Sequence, residues 1–143
     1  MPEKNMQSAI IESGRAAFAL SEVKRVIGAD SVSLKELLAQ NETKKVKEFK
    51  EYKSYSKKFP SMVLANGLAA SLAFLKDKGG TYNHLFEHID KWLKQCGLIS
   101  KDTMLMEYIC GLETPQYRVV TKEVLALFNW LRRFASGMIE GET

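Results

Sequence analysis

His84-Leu85-Phe86-Glu87-His88 is the one run in this chain whose residue types and spacing match a known catalytic pattern. On a helix His84 and His88 share a face at i and i+4, and HxxEH is the inverted form of the zinc-protease signature. Zinc hydrolysis needs a third protein ligand and an open coordination position. These are the only 2 histidines of the chain, and nothing downstream supplies the third ligand. Leu85, Phe86 and Ile89 are accounted for by helix packing. The motif therefore reads as two histidines near a helix surface. A small metal-dependent hydrolase using His84, Glu87 and His88 is the weakest alternative. No Ser or Cys pairs with a His and an acid in a nucleophilic motif, and neither a P-loop nor a GxGxxG is present. No catalytic residue, metal site, cofactor or small-molecule substrate is expected.

The second chemically suggestive feature is charge. Between Lys44 and Lys58 stand seven lysines (44, 45, 47, 50, 53, 57 and 58) against Glu48 and Glu51. The chain carries +4 in total, and this segment alone carries +5, so the remaining residues sum to −1. On a helix Lys47, Lys50, Lys53, Lys57 and Lys58 fall in an arc of roughly 140°, opposite Val46, Phe49, Tyr52, Tyr55 and Phe59. Most charge runs are merely solvated faces. Here the cations point one way and the acids hardly dilute them, which suits a phosphate backbone bound by counterion release, without base reading. Tyr52 and Tyr55 have rings that could stack on bases, but their spacing favours core packing.

These residues must be positioned by helices. Many Ala, Leu, Lys and Glu with only 3 Pro favour helix, no stretch alternates with period two, and 9 Gly punctuate the chain. Helices are expected over about 3–27, 34–59, 60–78, 82–96, 101–110 and 115–139. The first carries small residues (Gly14, Ala17, Ser21) beside Ile10, Phe18 and Val26, and is the expected docking face. Ser33-Leu34-Lys35-Glu36 is a capping box, with Val32 and Leu37 as its staple; whether the helix it opens breaks at 40–43 is left open. Pro60 is placed at the start of a new helix. That helix is apolar nearly all round and is expected at the centre. Thr81 and Thr114 are expected caps. The last helix has a stripe of Val120, Val124, Leu127, Leu131, Phe134 and Met138. Off the stripe sit Arg118, Lys122, Arg132 and Arg133. The Gly-Glu-Thr end is expected to fray.

At 143 residues and 45% apolar content the chain is expected to be one domain able to bury a core without staples. Cys96 and Cys110 form no CxxC and read as two buried thiols in a reducing cytosol. Neither a secretory signal nor a membrane span is expected: the longest apolar run, Met62 to Leu75, contains Asn66 and Ser71 and is too short for a bilayer.

Several segments resemble a known family. They are Arg15-Ala16-Ala17-Phe18-Ala19, then Tyr55 to Met62 running into Asn66-Gly67-Leu68, then Ala73-Phe74-Leu75. The most specific is Tyr117-Arg118 with Thr121 to Leu127 and Trp130-Leu131-Arg132-Arg133-Phe134-Ala135. Together they look like the small all-helical subunit of the Cmr complex, the type III-B CRISPR RNA-guided effector. The resemblance implies a non-catalytic protein of antiviral defence whose copies stack beside a backbone subunit. It implies as partners that backbone subunit, the large subunit, further copies of itself and guide–target RNA. It also implies that the isolated chain is monomeric or weakly oligomeric.

The reading is an all-α, single-domain bundle of five to six helices, cytoplasmic, with an architectural role. Its candidate RNA contacts are Lys47, Lys50, Lys53, Lys57, Lys58, Arg118, Arg132 and Arg133. The rival is a helical adaptor that binds only protein.

Overall fold

The computed structural model describes residues 2–141, with side chains described at Glu12 and from Gly14 onward. The described residues form seven helices: α1 (Pro2–Ile27), α2 (Leu34–Ala39), α3 (Thr43–Asn66), α4 (Leu68–Lys78), α5 (Tyr82–Gln95), α6 (Leu105–Cys110) and α7 (Thr114–Met138). Two short strands, β1 (Val32–Ser33) and β2 (Ile139–Glu140), pair in parallel, with Val32 opposite Ile139. The all-α class holds, and the one departure from a sheetless chain is this two-residue bridge. It ties the loop after α1 to the chain end.

The centre is α7 rather than the expected 60–78 segment. It packs most extensively on α1 and α3 and also meets α5. Val120, Val124, Leu127 and Leu131 of the predicted stripe are buried, together with Phe128 and Ala135, while Phe134 and Met138 are half-buried. Phe128 meets Phe59 of α3 with ring centroids 4.8 Å apart. Burying a Leu or Phe of this kind contributes roughly 1.5–3 kcal/mol. Against α1, Glu123 receives a two-pronged bond from Arg15, Nε to Oε2 at 2.6 Å and Nη2 to Oε1 at 3.2 Å. Trp92 of α5 lies on Phe18 at 5.2 Å, and a Cβ on Gly14 would sit 3.5 Å from its ring.

Several expected boundaries move, among them the start of the helix expected at 101, which lies at Leu105. The helix from Leu34 stops at Ala39, where Asn41 adopts φ +61°, and α3 starts at Thr43. Pro60 opens no helix; it lies inside α3. An internal proline forfeits a backbone bond and crowds the preceding turn. It is tolerated because Tyr52, Ser56, Phe59 and Val63, all buried, keep one face of α3 on the core across it. The break comes instead at Gly67, with φ +87° and ψ 161°, a conformation essentially restricted to glycine. The Tyr117 hydroxyl approaches there, accepting from the Ala69 N–H at 2.8 Å. Only one face of α4 is buried, through Leu68, Ser71, Leu72 and Leu75.

Half of the expected capping box forms: the Glu36 N–H donates to Ser33 Oγ at 3.3 Å, the N-cap bond. The other two caps do not: Thr81 makes no side-chain bond, and Glu113, not Thr114, precedes α7. On α1 the buried side chains are Ala19, Glu22, Val23 and Ile27, whereas Ala17 and Ser21 are exposed. Ile10 falls outside the described side chains.

Candidate nucleic-acid interface

Lys45 is exposed in the first turn of α3 but on its inward side, four residues before Phe49 and seven before Tyr52, whereas the outer face presents Lys44, Lys47, Lys50, Lys57 and Lys58 to solvent. Each follows from the helical period: the apolar residues Val46, Phe49, Tyr52, Phe59 and Val63 face inward and fix the rotation of α3. Lys58 sits over the Tyr55 ring, 5.6 Å from its centroid. Of the two acids among these lysines, only Glu48 is drawn aside by a partner. Glu48 and Glu51 are half-buried, and Glu48 lies 3.1 Å from His84 Nε2.

Lys53 does not belong to this face. It is 6% exposed, and its amine donates to the carbonyls of Ile139 and Gly141, each at 2.7 Å. Burial, and then the charge of Lys57, lower its pKa. Its place on α3 explains this: Lys53 is i+4 from Phe49 and i+7 from Val46, so it shares their inward strip. The amine reaches carbonyls that no helix satisfies, just past α7. It also anchors Gly141, which was expected to fray; Glu142 and Thr143 lie outside the described residues.

The arginines on α7 are not gathered with one another. Arg118 is exposed in its first turns and Arg132 and Arg133 stand near its end, about 21 Å away at helical rise. Arg133 is exposed, and Arg132 is half-buried, its Nη2 3.5 Å from the side-chain Oδ1 of Asn129.

What the charge count alone missed is a cleft at the edge of the lysine face. It has a volume of about 490 Å³ and lies between the start of α3 and the α4–α5 turn. Lys44, Lys47, Glu48 and Glu51 line one side, and Lys78, Gly79, Gly80, Thr81 and Tyr82 the other. The Gly79-Gly80 pair was legible as a helix stop, but only the fold brings Lys78 opposite Lys44 and Lys47.

The HxxEH residues are divided between surface and core. His88 is 2% exposed, not near the surface as expected. Its Nε2 lies 2.8 Å from the Tyr52 hydroxyl and its Nδ1 3.3 Å from Glu22. A neutral ring satisfies both, accepting from Tyr52 and donating to Glu22. Burial lowers the His88 pKa, against the raising effect of Glu22. Burial alone would raise that of Glu22, but hydrogen bonds from His88 and Arg25 and the charge of Lys91 outweigh it and hold it at about 2. The Tyr52 pKa is pushed up by burial and by the Glu22 charge. Glu87 accepts from Asn83 at 3.2 Å. The triad Glu22–His88–Tyr52 thus ties α1, α5 and α3 together. Among the described residues no group of three or more His, Cys, Asp or Glu is placed to hold a metal.

Cys96 and Cys110 are exposed and unpaired with each other, not buried. The large exposed apolar side chains are Leu38, Leu64, Met104 and Val119; among the described side chains none is on α1, where docking surface was expected. No described helix is long and apolar enough to cross a membrane.

Comparison with known proteins agrees with the resemblance seen in the sequence. A family model described as "CRISPR-associated protein (Cas_Cmr5)" matches residues 11–138. The "CRISPR system Cmr subunit Cmr5" of Thermus thermophilus is 32% identical over 90 residues, covering 63% of this chain and 76% of that protein.

Proposed function

From the premise that this chain belongs to the Cmr5 family of CRISPR-associated proteins, we propose that it is a structural subunit whose α3 face meets RNA. In this reading it serves a type III-B effector in the cytoplasm. It stacks beside the backbone subunit, near the large subunit and further copies of itself, and lines a basic groove for the guide–target duplex. It carries out no chemistry of its own.

The observation that carries the reading is the one-sided arrangement of five exposed lysines on α3 (Lys44, Lys47, Lys50, Lys57 and Lys58), with both glutamates of that stretch half-buried. Cations held on one helical face neutralise phosphates without selecting a sequence. The test is a Lys50→Glu, Lys57→Glu, Lys58→Glu variant assembled into its complex. Lys53 is left untouched because it is part of the core. The variant is expected to assemble, to bind target RNA more weakly for all sequences alike, and to show a shallower salt dependence, by roughly 0.7–0.9 in slope per lost contact. Unchanged affinity and slope would favour the adaptor that contacts only protein.

A further inference from the structure

The cleft beside α3 holds more than a phosphate needs. Lys44, Lys47 and Lys78 supply cations from two sides, but Glu51 and the ring of Tyr82 also line it. Glu48 is taken up by His84, whereas Glu51 makes no ion pair with any described residue. A bare phosphate would gain nothing from a free carboxylate. Tyr82 is half-buried and its ring is fixed by neighbours: Tyr55 meets it edge-on at 4.4 Å and Phe74 at 6.0 Å. Lys78 rests over Phe74, 5.7 Å from the ring centroid. The cleft, about 490 Å³, opens broadly to solvent.

Cations, a held aromatic ring and an acceptor are the three features that a nucleotide engages, through phosphate, base face and base edge. We propose that this cleft binds one unpaired nucleotide, its phosphate on Lys44, Lys47 and Lys78, its base against Tyr82 and a base N–H donated to Glu51. The inference rests on the α3 face being an RNA surface and adds a single-strand site at its edge. A carboxylate only accepts. Cytosine and adenine offer it an exocyclic amine, and guanine offers two parallel donors. Uracil offers one N–H flanked by two carbonyl oxygens that repel the carboxylate, so it is the base the site disfavours.

The test is fluorescence anisotropy with the purified full chain and labelled oligocytidylate, oligouridylate and a blunt RNA duplex. Oligocytidylate is expected to bind about fivefold or more tighter than oligouridylate, and more tightly than the duplex. Glu51→Gln, nearly isosteric, is expected to bring the two strands to equal affinity. Tyr82→Leu is expected to weaken both by about fivefold or more, while Tyr82→Phe keeps the ring and the affinity. No binding of any single strand at micromolar concentrations, equal affinity for the two strands in the natural protein, or a preference that survives Glu51→Gln overturns the proposal. Cytidine monophosphate as competitor separates the two sources of the ligand. Effective competition upholds the cleft with a free nucleotide in it; a base preference without competition upholds it with an unpaired residue of a strand. Loss of binding in Lys50→Glu with Lys57→Glu, but not in Glu51→Gln or Tyr82→Leu, leaves the α3 face standing and removes the cleft. If neither set has an effect, both readings fall.

Discussion

Lys53 shows how one residue can change sides. Read by type, it joins the lysine face. Read by position, it follows Phe49 by four residues and Val46 by seven, and belongs to the strip that α3 buries. The positional signal was in the sequence, but its resolution was not, because the carbonyls that receive the amine lie beyond residue 138. A hydrogen bond made by a charged group contributes roughly 1.5–3 kcal/mol net, and the cost of burying the ammonium offsets part of the two that Lys53 makes. Lys53→Met is therefore expected to lower stability by about 2 kcal/mol, and Lys53→Glu by more, measured by urea unfolding. A change no larger than that of Lys50→Met would contradict this.

His88 is similar: the HxxEH spacing was legible, but burial against Glu22 and Tyr52 depends on contacts 66 and 36 residues away. Its folded pKa lies below the unfolded value, as does that of Glu22. Stability from the neutral His88 is full above about pH 6.5 and is lost as pH falls below it; that from ionised Glu22 is lost below about pH 4.5, toward 2. Urea midpoints should fall between pH 7 and pH 5, and His88→Phe should flatten that interval even if it lowers stability throughout. An equally steep fall in the variant would assign the pH dependence to other groups.

At the scale of elements, local signals were read well and breaks poorly. The N-cap at Ser33 and the buried part of the α7 stripe, Val120 to Leu131, are properties of neighbouring residues, and both appear as expected. Pro60 was a misleading stop because the apolar period runs through it, from Tyr52 to Val63. The true break at Gly67 had a local signal, the Asn66-Gly67 pair, set inside an apolar run, and the Tyr117 hydroxyl from α7 packs against it. Gly67 also holds a φ of +87°, and an added Cβ would stand 3.3 Å from that hydroxyl. Gly67→Ala is expected to lose about 1–3 kcal/mol, read as a lower urea midpoint. Gly137→Ala, with nothing near its Cβ and no positive φ, is the comparison; equal effects at both positions would contradict the account of the α3–α4 corner.

The whole molecule is a helical scaffold with its positive charge concentrated on one helix. That asymmetry was visible in the sequence, because the net charge sits in residues 44–58. The cleft was not, since Lys78 and Tyr82 join Lys44 and Lys47 only when α5 turns back against α3. Exposed Leu38, Leu64, Met104 and Val119 stand on four different segments. The isolated chain is expected to sediment as a monomer or weak oligomer, with an obligate tight dimer as the contrary result. The most direct test of the central claim is the salt dependence of target-RNA binding by the assembled complex. The chain carrying Lys50→Glu, Lys57→Glu and Lys58→Glu is compared with the natural one. The account predicts intact assembly, weaker binding for every target sequence, and a slope shallower by roughly 0.7–0.9 for each phosphate contact removed. Identical affinity and identical slope would contradict it.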